Sequence, residues 1–303
     1  MCQNHGDRQR QPCTLYPFPV SLLFFGMFFF FNFSVGLIAA IVDEDLSMVF
    51  RGPLNIAHIS VFQPSSTDAS ASWKQVSAFN PNQATQNMVF LNNKGGGASG
   101  VFDYCFGLSQ SYASNDFSST VASGTGQQPT GQLADGVEVN IMSATNCNAS
   151  STTCSGFSRG VGQMGWAGSK MFVVSFEMPE SSGNDLPAIW VLNGQVLRSA
   201  QYGCNCRGMG GEGGCGELDL LEVITKGKDP ISELYSFKGA TGTGNANSFP
   251  RPSSGVVTYA IIFDVASNAI AIQRWSSFDA STASFTRSEI DAYLNADALQ
   301  IPF

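Results

Sequence analysis

Gly216-Glu217-Leu218-Asp219-Leu220-Leu221-Glu222-Val223 is the stretch on which the reading of this 303-residue chain turns. Its apolar and acidic residues follow one another as in a β-strand that turns leucines to a core and carboxylates away from it. The alternation has one defect. Glu217 and Asp219 fall on the same face of a strand, whereas Glu222, five positions after Glu217, falls on the other. A single-residue β-bulge between Asp219 and Glu222 repairs it, placing all three acids on one face with Leu218 and one or both of Leu220 and Leu221 behind. Three like charges this close repel one another, so the arrangement is costly unless a site uses it.

Working outward, short β-prone segments recur between turn-rich stretches. They are Met48–Arg51, Ile56–Phe62, Asn87–Leu91, Gly100–Tyr104, Val137–Met142, Lys170–Glu177, Ala188–Leu192, Glu217–Ile224, Leu234–Phe237, Val256–Phe263 and Ala269–Trp275. In Val256–Phe263, for example, Val257, Tyr259 and Ile261 share a face. One helix is expected near the end, where Thr286-Arg287-Ser288-Glu289 forms a capping box ahead of Ile290 and Leu294. The absence of strand–helix alternation argues against a parallel α/β fold and for an all-β sandwich or barrel. Ser109–Gln132 and Gly239–Pro252 read as surface loops, and no internal repeat is visible.

Composition agrees. Only 13% of residues are charged, against about 25% in average soluble domains, and Ser, Thr, Asn, Gln and Gly take their place. The 24 Phe and 4 Trp supply apolar area for a core and exclude disorder. Fifteen Lys+Arg against 23 Asp+Glu, a net charge of −8, leave no basic face for nucleic acid.

Residues 1–40 are a different material. Arg8 and Arg10 precede an apolar run from Pro17 to Val42, and the small residues of Gly36–Ala40 lead into Asp43, Glu44 and Asp45. This reads as a secretory signal cleaved near Ala40, or as an uncleaved anchor, with Met27 as an alternative start. In both cases residues 41–303, one domain with a short strand segment at 46–62, are delivered outside the cell. Association with a membrane is expected only if the leader is retained. Cys2 and Cys13 lie in the leader, leaving Cys105, Cys147, Cys154, Cys204, Cys206 and Cys215. In an exported chain six cysteines form three disulfides, with fifteen possible connectivities, and Cys147 and Cys154 enclose a short loop. Zinc at Cys204, Cys206 and Cys215 competes, but the spacing is wrong for a ribbon and no His is near. Asn148-Ala149-Ser150 is an N-glycosylation acceptor.

Three motifs are set aside. Gly208-Met209-Gly210-Gly211-Glu212-Gly213 has dinucleotide spacing but leads into an acidic strand that repels phosphate. Gly156-Phe157-Ser158-Arg159-Gly160 has nucleophile-elbow spacing, but His58, the one histidine beyond the leader, lies upstream of the serine. Asn92-Asn93-Lys94-Gly95-Gly96-Gly97 lacks the order of a P-loop.

Phe176-Glu177-Met178-Pro179, Leu186-Pro187-Ala188-Ile189-Trp190, a Cys-bounded Gly loop and then the acidic strand resemble the heart of glycoside hydrolase family 16, the laminarinase-like enzymes. The resemblance implies a concanavalin-like β-sandwich jelly roll, mostly antiparallel, with one short C-terminal helix. It implies Glu217 as nucleophile, Asp219 as its helper and Glu222 as general acid/base. Trp190 would be an apolar platform for a sugar face, with a core tryptophan as the equal alternative, and Trp166 and Trp275 are further candidate glucan contacts. Leu46-Ser47-Met48-Val49-Phe50-Arg51-Gly52-Pro53-Leu54-Asn55, the block Asn87–Gly97, and Tyr202-Gly203-Cys204-Asn205-Cys206 are similar to one subgroup, the circularly permuted cell-wall 1,3-β-glucanases of fungi and similar walled organisms.

Two departures stand out. The longer Gly/Cys-rich segment often found before the Phe-Arg-Gly-Pro block is short here, and Asp297-Ala298-Leu299-Gln300-Ile301-Pro302-Phe303 is no apolar anchor tail. The expectation is therefore a freely secreted, monomeric endo-1,3-β-glucanase acting on β-1,3-glucan with retention, needing no cofactor or metal. The rivals are a transglycosylase on the same site, a non-catalytic glucan-binding or structural wall protein, and a calcium-stabilised domain using the three acids as ligands.

Overall fold

The computed structural model describes residues 43, 45–95, 102–103, 107–147, 161–199, 217–235 and 248–296, and in it the expected strands gather into antiparallel sheets. In chain order the strands are β1 (Leu46–Arg51), β2 (Leu54–Pro64), β3 (Trp73–Phe79), β4 (Val89–Asn92), β5 (Phe102–Asp103), β6 (Gly107–Leu108), β7 (Ser111–Ala113), β8 (Thr120–Val121) and β9 (Gln132–Leu133). They continue with β10 (Glu138–Met142), β11 (Lys170–Glu177), β12 (Ala188–Asn193), β13 (Glu217–Glu222), β14 (Ile231–Tyr235), β15 (Val257–Asp264), β16 (Ala269–Trp275) and β17 (Ser284–Phe285). An eight-stranded sheet runs β14-β13-β12-β1-β10-β4-β7-β8, and a seven-stranded sheet runs β16-β15-β11-β2-β3-β17 with β9 beside β2. This is the all-β jelly-roll sandwich expected from the sequence.

The segment 46–62 is more than a preface. β1 lies between β10 and β12 in one sheet, and β2 lies between β11 and β3 in the other. The two-residue period then sorts their side chains. Met48 and Phe50 of β1 meet Ile59 and Val61 of β2, with Phe172, Val174 and Ile261, in the core between the sheets. Val49 points the opposite way, into an apolar cluster on the outer face of the eight-stranded sheet. Val161 and Leu197 join that cluster and all of it is buried, and the outer face of the seven-stranded sheet is covered too: Met171, Val173, Ala260 and Ile262 pack beneath Phe285 and Ile290.

Ile290 belongs to the expected C-terminal helix, Arg287–Leu294, whose capping box is formed as read: Thr286 accepts from Glu289 N and the Glu289 side chain returns to Thr286 N. A further short helix, α1 (Gly194–Ser199), follows β12, making the C-terminal one α2. Three expectations need correction. β3 was not foreseen, because Trp73-Lys74-Gln75-Val76-Ser77-Ala78-Phe79 lacks alternation and meets β2 across a register shift. The stretch Ser109–Gln132 is not all loop: it supplies β7 and β8 at the sheet edge. There the buried Gln127 side chain accepts from Phe90 N and donates to the carbonyls of Phe90 and Ala113, acting as a short piece of strand. The segment near Leu234 pairs earlier than expected, over Ile231–Tyr235. The leader, Gly100, Cys105, Asn148, Cys154, Cys204, Cys206, Cys215 and the set-aside motifs at 156–160 and 208–213 lie outside the described residues. Cys147 is disulfide-bonded.

Buried ion pairs fasten the covering layers. Arg251 grips Asp185 with both terminal nitrogens, at 2.6 and 3.0 Å, and also donates to the carbonyls of Met178 and Pro179. Arg287, the first residue of α2, pairs bidentately with Asp264 at the end of β15, at 2.7 and 2.8 Å. Burial works to raise the Asp264 carboxyl, but hydrogen bonds from Arg287 and Ser267 outweigh it and hold the group below its ordinary value. Its stabilising effect is therefore present above the unfolded value, about 3.9, and is lost as pH falls through the lower native one. Arg287→Ala should cost about 3–5 kcal/mol at pH 7, because it strands a buried carboxylate, and Asp264→Ala/Arg287→Met should recover most of that. Denaturant melts across pH 3–7 should show the gap between wild type and Arg287→Ala narrowing at the acid end.

Candidate active site

Two neighbouring leucines set the site. Pairing of β12 with β13 runs Ile189 opposite Leu221 and then Trp190 opposite Asp219, so Leu220 is an extra residue in β13. Pairing with β14 shifts over the same residues, from Asp219 opposite Glu233 to Glu222 opposite Ile231. This is the bulge the sequence required. Leu218, Leu220 and Leu221 all enter the core, and Glu217, Asp219 and Glu222 share the outer face of the eight-stranded sheet.

Cross-strand partners extend that face as rows, since residues directly opposite one another point the same way. One row reads Glu233, Asp219, Trp190, Val49, Asn140, Leu91. Another reads Glu222, Ala188, Arg51, Glu138. Glu217 stands opposite Leu192. The floor is apolar, built from Val49, Leu91, Met142, Ala188, Trp190 and Leu192, and the charged groups cluster at the β13 end.

Within the cluster the carboxylates differ in setting. Asp219 and Glu217 are buried, 2% and 7% exposed, whereas the Glu222 side chain is a quarter exposed. Arg51 Nη2 donates to Glu222 Oε1 at 2.8 Å, and its Nε donates to the Leu186 carbonyl at 2.7 Å. The same guanidinium lies 5.6 Å from the centre of the Trp190 ring. Arg51 therefore fixes Glu222 to the rim of the β12 strand and offsets one of the crowded negative charges. Ser232 donates to the Asp219 carbonyl at 2.8 Å and ties β14 to the bulged strand. The Trp190 indole nitrogen and both amide atoms of Asn140 are buried on this face with no hydrogen-bond partner among the described residues.

Of the three tryptophans expected to touch substrate, one is here. Trp166 lies in the core between the sheets, 3% exposed, with its indole nitrogen donating to Ser77 Oγ at 3.1 Å and its ring edge-on to Phe172. Its place between the sheets excludes it from the acid face, whereas Trp190, equally buried, belongs to the cluster on that face. Trp275 ends β16 in the seven-stranded sheet, against Phe278, Phe285 and Tyr293. Sequence reading missed Arg51, Asn140 and Glu233. Arg51 was visible as the one charge in a strand of apolar residues. Glu233 would have emerged from the alternation of Ile231-Ser232-Glu233-Leu234-Tyr235 had that strand been started earlier.

The chain is similar to several fungal proteins over two thirds or more of its length. It is 38% identical over 222 residues to a Candida albicans protein named "Probable circularly permuted 1,3-beta-glucanase TOS1", covering 67% of this chain and 46% of that protein. A Saccharomyces cerevisiae protein of the same name is 38% identical over 229 residues, covering 71% and 48%. A Schizosaccharomyces pombe protein, also named a probable circularly permuted 1,3-beta-glucanase, is 34% identical over 252 residues, covering 75% and 46%. The chain thus spans about half the length of these relatives. No solved structure matches it. The family model described as cell wall protein YJL171C/Tos1, C-terminal, matches residues 71–293, and with that much of its length accounted for, the chain belongs to the YJL171C/Tos1 cell-wall protein family.

Proposed function

We propose that this chain is the catalytic domain of an exported endo-1,3-β-glucanase that cleaves β-1,3-glucan of the cell wall with retention of configuration. The observation that carries the reading is the Leu220 bulge, which sets Glu217, Asp219 and Glu222 on one face beside Trp190. Successive same-face positions on a strand are about 7 Å apart. Two long glutamates flanking a central aspartate can lean inward to the separation of about 5–5.5 Å that a retaining pair needs. The names of the relatives support the substrate.

In this mechanism Glu222, at the more open end, protonates the oxygen of the leaving glucan while Glu217 attacks the anomeric carbon and forms a glycosyl ester. Glu222, now a carboxylate, takes a proton from water, which breaks the ester and releases the second product with its original configuration. Asp219, buried between them, hydrogen-bonds the nucleophile and holds the proton distribution. Trp190 lies beneath the Arg51 guanidinium and forms part of the floor on which the acids stand. Arg51 keeps Glu222 aimed at the leaving oxygen. The remaining cysteines pair as disulfides, and the domain works as a monomer.

The secreted full chain, incubated with laminarin, should release oligosaccharides whose first-formed reducing end is the β-anomer by proton NMR. Release of the α-anomer first, or no release, contradicts the proposal. Glu217→Gln should fall to background and Glu222→Gln should lose about 10²–10⁴-fold; equal activity of Glu217→Gln and wild type is the opposite result. Arg51→Met should lower kcat by about 100-fold with KM little changed. The melting temperature should hardly move, since a single solvent-accessible pair contributes only about 0–1 kcal/mol.

A further inference from the structure

We propose a second carbohydrate-binding site on the face of the sandwich opposite the acids, in a groove between the end of β16, the turn at 276–282 and α2. The groove has a volume of about 460 Å³. Its walls are rings: Trp275 lies 4.9 Å from Tyr293 and 5.7 Å from Phe278, centre to centre. Its rim carries the hydroxyls of Ser276, Ser277 and Thr282, with Arg274 and Asp279 beside them. Among the described residues none of those three hydroxyls makes a hydrogen bond within the protein, so all three are available to a ligand.

The Trp275 indole nitrogen adds a second kind of observation. It is enclosed and has no hydrogen-bond partner among the described residues, the same condition as Trp190 on the acid face. Buried indole donors ordinarily find an acceptor, and a ligand oxygen reaching the indole edge would supply one. The groove is also preformed. Phe278 leans on His58, 5.5 Å away, and meets Phe62 edge-on, while His58 is itself held by Asn80 and Ser60 at 2.9 and 2.6 Å. A site whose walls are already fixed loses little freedom on binding.

Aromatic walls with a rim of hydroxyls, one cation and one anion fit a neutral sugar, whose ring faces are apolar and whose edge is all hydroxyl. A phosphate or an acidic ligand would meet Asp279, and a lipid would leave the polar rim unmatched. The carboxylates stand on the outer face of the eight-stranded sheet and Trp275 on the seven-stranded one, so the core lies between the two sites. One polymer segment in the groove would hold the protein to insoluble glucan while the acid face works on another. That the sugar is β-1,3-glucan rests on the proposed function; that the groove takes a carbohydrate rests on its own lining.

The test uses the full chain carrying Glu217→Gln, so that bound polymer is not consumed, and sedimentation with insoluble 1,3-β-glucan. Ser277→Arg, an exposed change that fills the rim, should weaken retention about tenfold, and Trp275→Ala should do the same. In the Glu217-intact protein, Ser277→Arg should leave hydrolysis of short soluble 1,3-linked oligosaccharides unchanged. Undiminished retention of the Ser277→Arg protein would overturn the site. Loss of retention in a chain that proves inactive on every glucan would uphold the groove while removing the proposed enzyme, so the two readings fail separately.

Discussion

Leu220 and Leu221 are both buried, and a regular strand cannot turn two neighbours the same way. That single conflict between side-chain burial and backbone periodicity organises the acid face. The core claims both leucines, the ladder to β12 and β14 slips by one residue, and Glu222 is carried to the side already held by Glu217 and Asp219. Burying leucine at each of two positions is worth about 1.5–3 kcal/mol per side chain, while leaving a glutamate in the core would cost far more. The bulge is thus the low-energy solution for this sequence, and the clustering of carboxylates follows from packing on the other side of the strand.

Both sheets bury the apolar residues of their outer faces, with different polar groups above them. On the seven-stranded sheet α2 and Phe285 close over Met171, Val173 and Ile262, and the Arg287–Asp264 pair locks that cover down. On the eight-stranded sheet the apolar residues form a floor with polar groups standing on it, and Arg51 links the floor to Glu222. A charged pair at a quarter exposure adds little to stability. Its value lies in direction: the guanidinium is tethered to a backbone carbonyl and set against an aromatic ring, so the carboxylate it holds has few other places to go.

Much of this was legible in the sequence because the signals were local. The acid strand announced its own bulge, since no other arrangement put three carboxylates on one side. Thr286 and Glu289 announced a helix start, because a capping box needs only four residues. What escaped depended on distant partners. Trp166 cannot be told from a surface tryptophan without knowing that Phe172 and Ser77 surround it. β3 is a strand because β2 offers it a ladder, not because its own residues alternate. Gln127 substitutes for a strand through its side chain, a role that no periodicity can reveal. Arg51 was in plain view, but its meaning required a partner 171 positions away.

The central position of β1 has a consequence in time. Met48 pairs with Ile141 on one side and Val191 on the other, so the middle of the eight-stranded sheet waits for residues made roughly 90 and 140 positions later. β2 waits similarly for β11. β1 and β2 are thus made well before β10, β12 and β11, the neighbours that hold them in the middle of their sheets. Such non-local pairing makes folding slow. Until those later strands are made, the apolar residues of β1 lack both of the ladders that enclose them.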